Sequence, residues 1–310
     1  MVTAIRIAIV GLGKIARDQH IPAIAGTEGI ELVAVASPNA SIDGVRHFAT
    51  LDELLAAGPD IDAVALCTPP QVRHAQAATA LRAGKHVLLE KPPGATVSEL
   101  TPVIAAARQT GRTLFAAWHS RFAPAVEPAR TFLASRQIKS VVVEWKEDVR
   151  VWHPGQTWIW EPGGLGVFDP GINALSILTR ILPRPFFLRK AALSFPRNRA
   201  APIAADLTFS DDTDLPIRAE FDWRQTGPQT WDIRADTDVG RLTLSSGGGR
   251  LVHDDRTLID EKRAEYRGIY GRFVELIANG VSDVDLSPLV HVADAFMLGR
   301  RHEVEPFIED

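Results

Sequence analysis

The run Gly11-Leu12-Gly13-Lys14-Ile15-Ala16 follows directly on the apolar stretch Ile5 to Val10 and opens a helical pattern. In that setting each small residue has its own task. Gly11 permits a tight turn, Gly13 lets the backbone approach a pyrophosphate, and Ala16 lets helix and strand pack closely, while the helix N-terminus offers N–H donors to an anion. A dinucleotide is therefore expected on Gly11, Gly13, Lys14 and Ile15. The second apolar run, Leu32 to Ala36, ends in Ser37-Pro38-Asn39, without the carboxylate that would hold a ribose 2′-hydroxyl. Ser37 and Asn39 leave room for a 2′-phosphate and can hydrogen-bond it, although no arginine stands beside them in sequence. NADP is the expected cofactor, with NAD also open; the alternative is that Ser37 merely starts a turn before Pro38.

A second group of candidates lies past the middle of the chain. Gly163-Gly164-Leu165-Gly166 leads through Val167 and Phe168 into Asp169-Pro170-Gly171-Ile172-Asn173. Asp169 and Pro170 suit the N-cap and first position of a helix, and a spacing of four puts Asp169 and Asn173 on one helical face. A simple capping role for Asp169 and a catalytic one stay equally open on these residues alone, and Gly171 leaves space for another group to approach. Alternation through Val143, Trp145 and Glu147 puts a carboxylate on an apolar face, where it needs a partner, either the hydroxyls of a ligand or an inward salt bridge. Of the seven tryptophans, Trp152 and Trp231 are taken as candidate faces for stacking on a ligand ring, although core filling is the commoner use of that side chain. Cys67 reads as packing, and the His and Cys spacings predict no metal.

Two kinds of element must position these residues. Up to about Trp118, short apolar strands (Ile5 to Val10, Leu32 to Ala36, Ala63 to Leu66, His86 to Leu89, Thr113 to Ala116) alternate with helical patterns, as in a doubly wound parallel sheet. After Arg121 a helical stretch precedes strand patterns at Ser140 to Arg150, Ile203 to Phe209, Ile217 to Trp223, Trp231 to Ala235 and Arg241 to Leu244. In one of these, apolar Ile217, Ala219, Phe221 and Trp223 alternate with Arg218, Glu220, Asp222 and Arg224, as in a sheet covered on one side. Helices are expected at Ile172 to Ile181, Ala264 to Ala278 and Pro288 to Arg300. The expected class is α/β: a Rossmann domain over 1–120, then an α+β domain over 121–310 with an open, mainly antiparallel sheet. With 310 residues, two cores of ordinary size fit the length.

The strand ends carry further marks: Cys67-Thr68-Pro69-Pro70 with His74 just beyond, and Glu90-Lys91-Pro92. Together with the glycine turn, these resemble the oxidoreductase family typified by glucose–fructose oxidoreductase and inositol dehydrogenase. Trp118-His119-Ser120-Arg121, Trp145-Lys146-Glu147-Asp148, Trp152-His153-Pro154-Gly155-Gln156 and Trp160 to Asn173 are most similar to its bacterial aldose 1-dehydrogenase members, which act on L-arabinose and D-galactose. The resemblance implies that Thr68, Pro69, His74, Glu90 and Lys91 attend the cofactor, that Lys91 lies beside the nicotinamide and the reacting carbon ahead of a cis peptide to Pro92, and that His119 contacts cofactor or substrate. Without it, Lys91 would be a surface lysine at a strand end. Many family members carry His where this chain has Asn173; since an amide takes up no proton, the base becomes Asp169 or Lys91.

The chemistry expected is oxidation of a sugar's C1 hydroxyl to the lactone, with hydride passing to NAD(P), in sugar catabolism. Catalysis is assigned to Lys91, Asp169 and Asn173, and sugar contacts to these three with His119, Glu147, Trp152 and Trp231. Two other readings stand beside it: a dinucleotide-binding sugar sensor without turnover, and an inositol-type dehydrogenase. Lys plus Arg 34 against Asp plus Glu 38 gives a net charge of −4, with no footprint for nucleic acid. No apolar run is long enough for a bilayer, and a single cysteine with a strand-like start fits a cytoplasmic protein. A homodimer through the C-terminal sheet is expected from the resemblance.

Overall fold

The computed structural model describes residues 4–262 and 264–309. Two compact units divide the chain: Met1–His119 with Ala264–Asp285, and Ser120–Arg263 with Leu286–Asp310.

The first unit carries a six-stranded parallel sheet built from β1 (Ile5–Val10), β2 (Ile30–Ala36), β3 (Arg46–Phe48), β4 (Ala63–Leu66), β5 (His86–Glu90) and β6 (Leu114–Ala117), in the order β3-β2-β1-β4-β5-β6. Strands β4 and β6 are buried along their whole length, which explains why they read as unbroken apolar runs. Reversal of strand order beside β1 makes the switch point at whose C-terminal edge such sheets bind ligands. Both the glycine turn after β1 and Lys91 after β5 lie at that edge.

Helices run in chain order as α1 (Ile21–Ala25), α2 (Leu51–Ala57), α3 (Pro70–Arg82), α4 (Leu100–Thr110), α5 (Val126–Leu133), α6 (Val149–Trp152), α7 (Phe168–Ile181), α8 (Glu265–Ala278) and α9 (Ser287–Leu298). The helical pattern that opens after the glycine turn is interrupted, because Ala16–His20 is a π-helical segment ahead of α1.

The expectation that residues 121–310 form the second domain needs correction, since Ala264–Asp285 belongs to the first unit. Helix α8 buries Tyr266, Ile269, Tyr270, Phe273 and Leu276 on one side. Phe273 stacks on Phe115 of β6 with centroids 6.2 Å apart, and Arg267 donates to the Gly26 carbonyl at 3.1 Å. Beyond the helix, Trp118 donates its indole N–H to Asp285 O at 2.8 Å. An amphipathic face records that a partner exists, but not which one.

The second unit is built on a nine-stranded mixed sheet: β7 (Ile138–Lys146), β8 (Phe186–Pro196), β9 (Ala204–Asp211), β10 (Ile217–Asp222), β11 (Thr230–Thr237), β12 (Gly240–Ser245), β13 (Arg250–His253), β14 (Arg256–Asp260) and β15 (Arg300–Val304). The order is β14-β13-β12-β11-β7-β10-β9-β8-β15. Among the described strands of this second sheet, β10 with β7 and β15 with β8 pair in parallel and the other pairs are antiparallel. Val143, Trp145, Ala219, Phe221, Ile233 and Ala235 face inward. The opposite face is charged, with Arg234 paired to Glu144 and Lys146 to Glu220 at 2.7 Å.

Strands β3, β8, β13, β14 and β15 did not stand out in the sequence. The sheet-edge strand β15 is mostly exposed, so it lacks the apolar alternation by which strands are read. The expected strand Ser140 to Arg150 stops at Lys146, because the Asp148 carboxylate accepts the Arg150 N–H at 3.0 Å and caps α6.

Helix α7 lies close to the sheet through Gly171. A Cβ built there would come within 2.5 Å of the Phe221 ring, so the approaching group that this glycine admits is a core phenylalanine. Phe221 is fully buried and meets Phe168 edge-on at 5.9 Å, which leaves it little room to move. Gly171→Ala is expected to cost about 1–3 kcal/mol by overpacking, read as a fall in Tm; a variant as stable as the parent would show that the ring can step aside.

Candidate active site

At the glycine turn of the first unit, Gly11 has φ of +89°, a conformation open to glycine at little cost, and a Cβ there would sit 2.8 Å from Thr68. Thr68 thus packs under the turn. A Cβ on Gly13 would meet nothing within 4 Å, so the backbone there is open to approach. This cradle fits a pyrophosphate, and Gly11, Gly13, Lys14 and Ile15 are the residues that would hold it. Lys14 is exposed and pairs with Asp18.

Ser37 is buried at the end of β2, its N–H bonded to Phe48 O at 2.9 Å and its carbonyl facing His47 Nε2 at 2.7 Å, while Asn39 is exposed. No arginine neighbours Ser37 in sequence, but Arg17 reaches the same loop and donates to Ser41 O at 3.3 Å. His74, on α3, lies with Nδ1 3.5 Å from Glu99.

A buried polar cluster underlies Lys91. Glu90, 3% exposed, receives the Lys91 backbone N–H on Oε2 at 2.6 Å and the Tyr266 hydroxyl on Oε1 at 2.6 Å. His20, wholly buried, faces Glu90 Oε1 through Nε2 at 3.0 Å and Tyr270 Oη through Nδ1 at 2.6 Å. Burial alone would raise the Glu90 carboxyl, but the hydrogen bond and charge of His20, the charge of His119 and the Tyr266 hydroxyl outweigh it and hold the pKa down at about 2. Burial likewise disfavours the His20 imidazolium, yet Cys67, Tyr270 and Glu90 around it hold that pKa well above its ordinary value. Burial, above all, pushes the Tyr266 and Tyr270 hydroxyls up, so both stay protonated.

His119 is drawn into the same unit, its Nδ1 3.2 Å from Glu265 and its ring stacked on Tyr266 with centroids 5.4 Å apart. Arg73, missed in the sequence, donates to the carbonyls of Glu90 (2.5 Å), Pro92 and Thr68. It joins the Thr68-Pro69 and Glu90-Lys91-Pro92 segments; only its place one residue before His74 hinted at it. The Lys91–Pro92 peptide is cis, as the resemblance implied.

In the second unit, Glu147 and Asp169 are 2% and 3% exposed. Glu147 takes the Trp223 indole N–H on Oε1 at 3.2 Å and the Trp231 indole N–H on Oε2 at 2.8 Å. Two indole N–H groups thus donate to it, partners that the sequence did not name. Trp231 is itself buried, 4.9 Å from the Trp152 ring, whereas Trp152 keeps 39% of its surface exposed.

His153 stands between the two carboxylates. Its Nε2 is 3.6 Å from Glu147 Oε1 and 3.6 Å from Asp169 Oδ2, within ion-pair range and longer than a direct hydrogen bond. His153 was not among the sequence candidates; it belonged to the Trp152-His153-Pro154-Gly155-Gln156 motif, but its meeting with Asp169 depends on the fold.

The capping role considered for Asp169 is corrected. Helix α7 starts at Phe168 with Val167 as its N-cap, and the Asp169 N–H bonds to Gly166 O at 2.8 Å. The turn at Gly166, φ +54°, begins the helix early and leaves the carboxylate to face His153. Asn173, one turn on and half-buried, shares that helical face.

The chain belongs to the oxidoreductase family with an NAD-binding Rossmann fold, the family of glucose–fructose oxidoreductase and inositol dehydrogenase, whose pattern matches residues 5–118. A galactose 1-dehydrogenase of Pseudomonas fluorescens is 47% identical over 308 residues, covering 98% of this chain and 99% of that protein. Among solved structures, the D-galactose-1-dehydrogenase of Rhizobium etli is 59% identical with a TM-score of 0.95, covering 99% of each chain. A 3-ketoreductase of Actinomadura kijaniata, solved with TDP-benzene and NADP, shares the fold at a TM-score of 0.85 and 19% identity, over 97% of this chain and 100% of its own.

Proposed function

We propose that this protein is an aldose 1-dehydrogenase that oxidises the C1 hydroxyl of D-galactose and L-arabinose to the lactone with NADP, NAD serving as a second cofactor. The observation that carries this reading is identity of 47% and 59%, over nearly the whole chain, to two galactose 1-dehydrogenases. Absence of a carboxylate at Ser37-Pro38-Asn39, with Arg17 donating to the Ser41 carbonyl just beyond, supports NADP.

A bound oxidised nicotinamide supplies the acceptor for the C1 hydrogen and its electron pair. Asp169 takes the hydroxyl proton, and the Lys91 ammonium stabilises charge developing on that oxygen. Asn173 orients the ring hydroxyls, its amide offering both a donor and an acceptor. Glu147 and His153 hold further hydroxyls, with Trp152 presenting an apolar face; Trp231 acts on the sugar through Glu147 and Trp152, and His119 contacts cofactor or substrate. The enzyme works in the cytoplasm in sugar catabolism, and the charged face of the nine-stranded sheet is the surface offered to a second copy.

L-Arabinose and D-galactose share ring stereochemistry from C1 to C4, so a pocket built on those hydroxyls accepts both. Initial rates with these two sugars, D-xylose, D-glucose and myo-inositol, each with NAD⁺ and NADP⁺, test the reading. Turnover is expected with the first two and highest with NADP⁺. Dinucleotide binding without turnover of any sugar would transfer the assignment to a sugar-responsive regulator.

A further inference from the structure

The His20–Glu90 pair lies inside the first unit, where no role in sugar binding reaches it, yet it joins three separated parts of the chain. His20 belongs to the π-helical segment directly after the glycine turn, Glu90 ends β5 next to Lys91, and Tyr266 and Tyr270 stand one turn apart on α8. A charged pair in a core is costly to bury and is weak evidence for stability in itself. A π-helical insertion in a helix is an uncommon local feature, found most often at functional sites. Here it accompanies the placing of His20, which faces Tyr270 with one ring nitrogen and Glu90 with the other.

The second oxygen of Glu90 accepts the Lys91 N–H. Lys91 precedes Pro92 and Pro93, neither of which has an N–H, so this amide is the one backbone donor between Glu90 and Gly94. Arg73 holds the carbonyls on either side, at Glu90 and Pro92. The lysine backbone is thereby fixed from the amide and from the carbonyls of both flanking residues.

We propose that Tyr270, His20, Tyr266 and Glu90 form a buried positioning relay, whose task is to hold the Lys91 backbone, and so aim its ammonium, from the helix that follows the glycine turn and from α8. They are positioning residues, not catalytic ones. The inference rests on the aldose dehydrogenase reading only in so far as Lys91 acts in turnover. It explains why α8 must belong to the nucleotide-binding unit although some 170 residues of sequence separate it from Lys91.

The test uses Tyr266→Phe and Tyr270→Phe, each of which removes one hydroxyl and preserves ring packing, with Glu90→Gln as a shape-preserving third variant. Four quantities are measured on the full chain: Tm, dinucleotide Kd from tryptophan fluorescence, steady-state rates, and hydrogen exchange of a peptide containing Lys91. Expected for the folded variants are a Kd within about twofold of the parent, a kcat lowered roughly 10- to 100-fold with sugar KM little changed, and faster exchange at Lys91; losses of that size suit misplaced catalytic groups. Parental kcat and parental exchange in the tyrosine variants would overturn the relay. So would a loss of dinucleotide affinity equal to the loss in kcat, which would mark a general support of the nucleotide site. Should the parent oxidise no aldose, the functional reading fails, while Kd and exchange still decide whether the cluster holds Lys91.

Discussion

Lys91→Ala is expected to lower kcat for D-galactose by at least about 10²-fold, the loss typical when a group that stabilises a developing oxyanion is removed, while leaving dinucleotide binding intact. The lysine follows β5 at the edge of the parallel sheet where ligands of such sheets bind, and its amide is held by Glu90. Removing the side chain leaves the Glu90, Tyr266 and His20 bonds in place, since only the Lys91 backbone takes part in them. The fold and the glycine turn are therefore expected to survive. Steady-state kinetics with a parallel measurement of dinucleotide Kd separate the two effects; turnover near that of the parent would remove Lys91 from the mechanism.

Asp169→Asn is expected to reduce kcat by roughly 10²–10⁴-fold, the range for loss of a general base, because an amide of nearly the same shape takes up no proton. The isosteric change matters here. Asp169 is buried in the first turn of α7, and truncation would leave a void beside His153, which also faces Glu147. Since Val167 and not Asp169 caps the helix, Asp169→Asn should leave Tm close to the parent value. A variant that keeps both Tm and turnover would leave Lys91 as proton acceptor.

Much of the nucleotide-binding unit was legible because its information is local. Ile5 to Val10, the glycine turn and the opening of a helix are adjacent in sequence, and each constrains the next through backbone geometry. Alternation showed equally well that Glu147 turns inward, although it lies just past the end of β7. Its partners were not legible: Trp223 and Trp231 come from the end of β10 and from β11, and sheet pairing alone brings their indole N–H groups to the carboxylate. His153 was hidden for the same reason. Asp169 showed a different failure, since its type and the following Pro170 suit a cap, but a glycine turn three residues earlier begins the helix first.

By itself, the sequence determined the doubly wound sheet, the dinucleotide turn, the alternation of the second sheet and the family, because periodicity and short motifs record constraints between neighbouring residues. Tertiary structure alone decided that α8 joins the nucleotide-binding unit, that His153 stands between Glu147 and Asp169, and that His20 reaches Glu90. In each case, a buried polar group or an apolar face announces its need for a partner. Which distant residue meets that need is set by packing over the whole unit, so it has no period or spacing in the chain to be read.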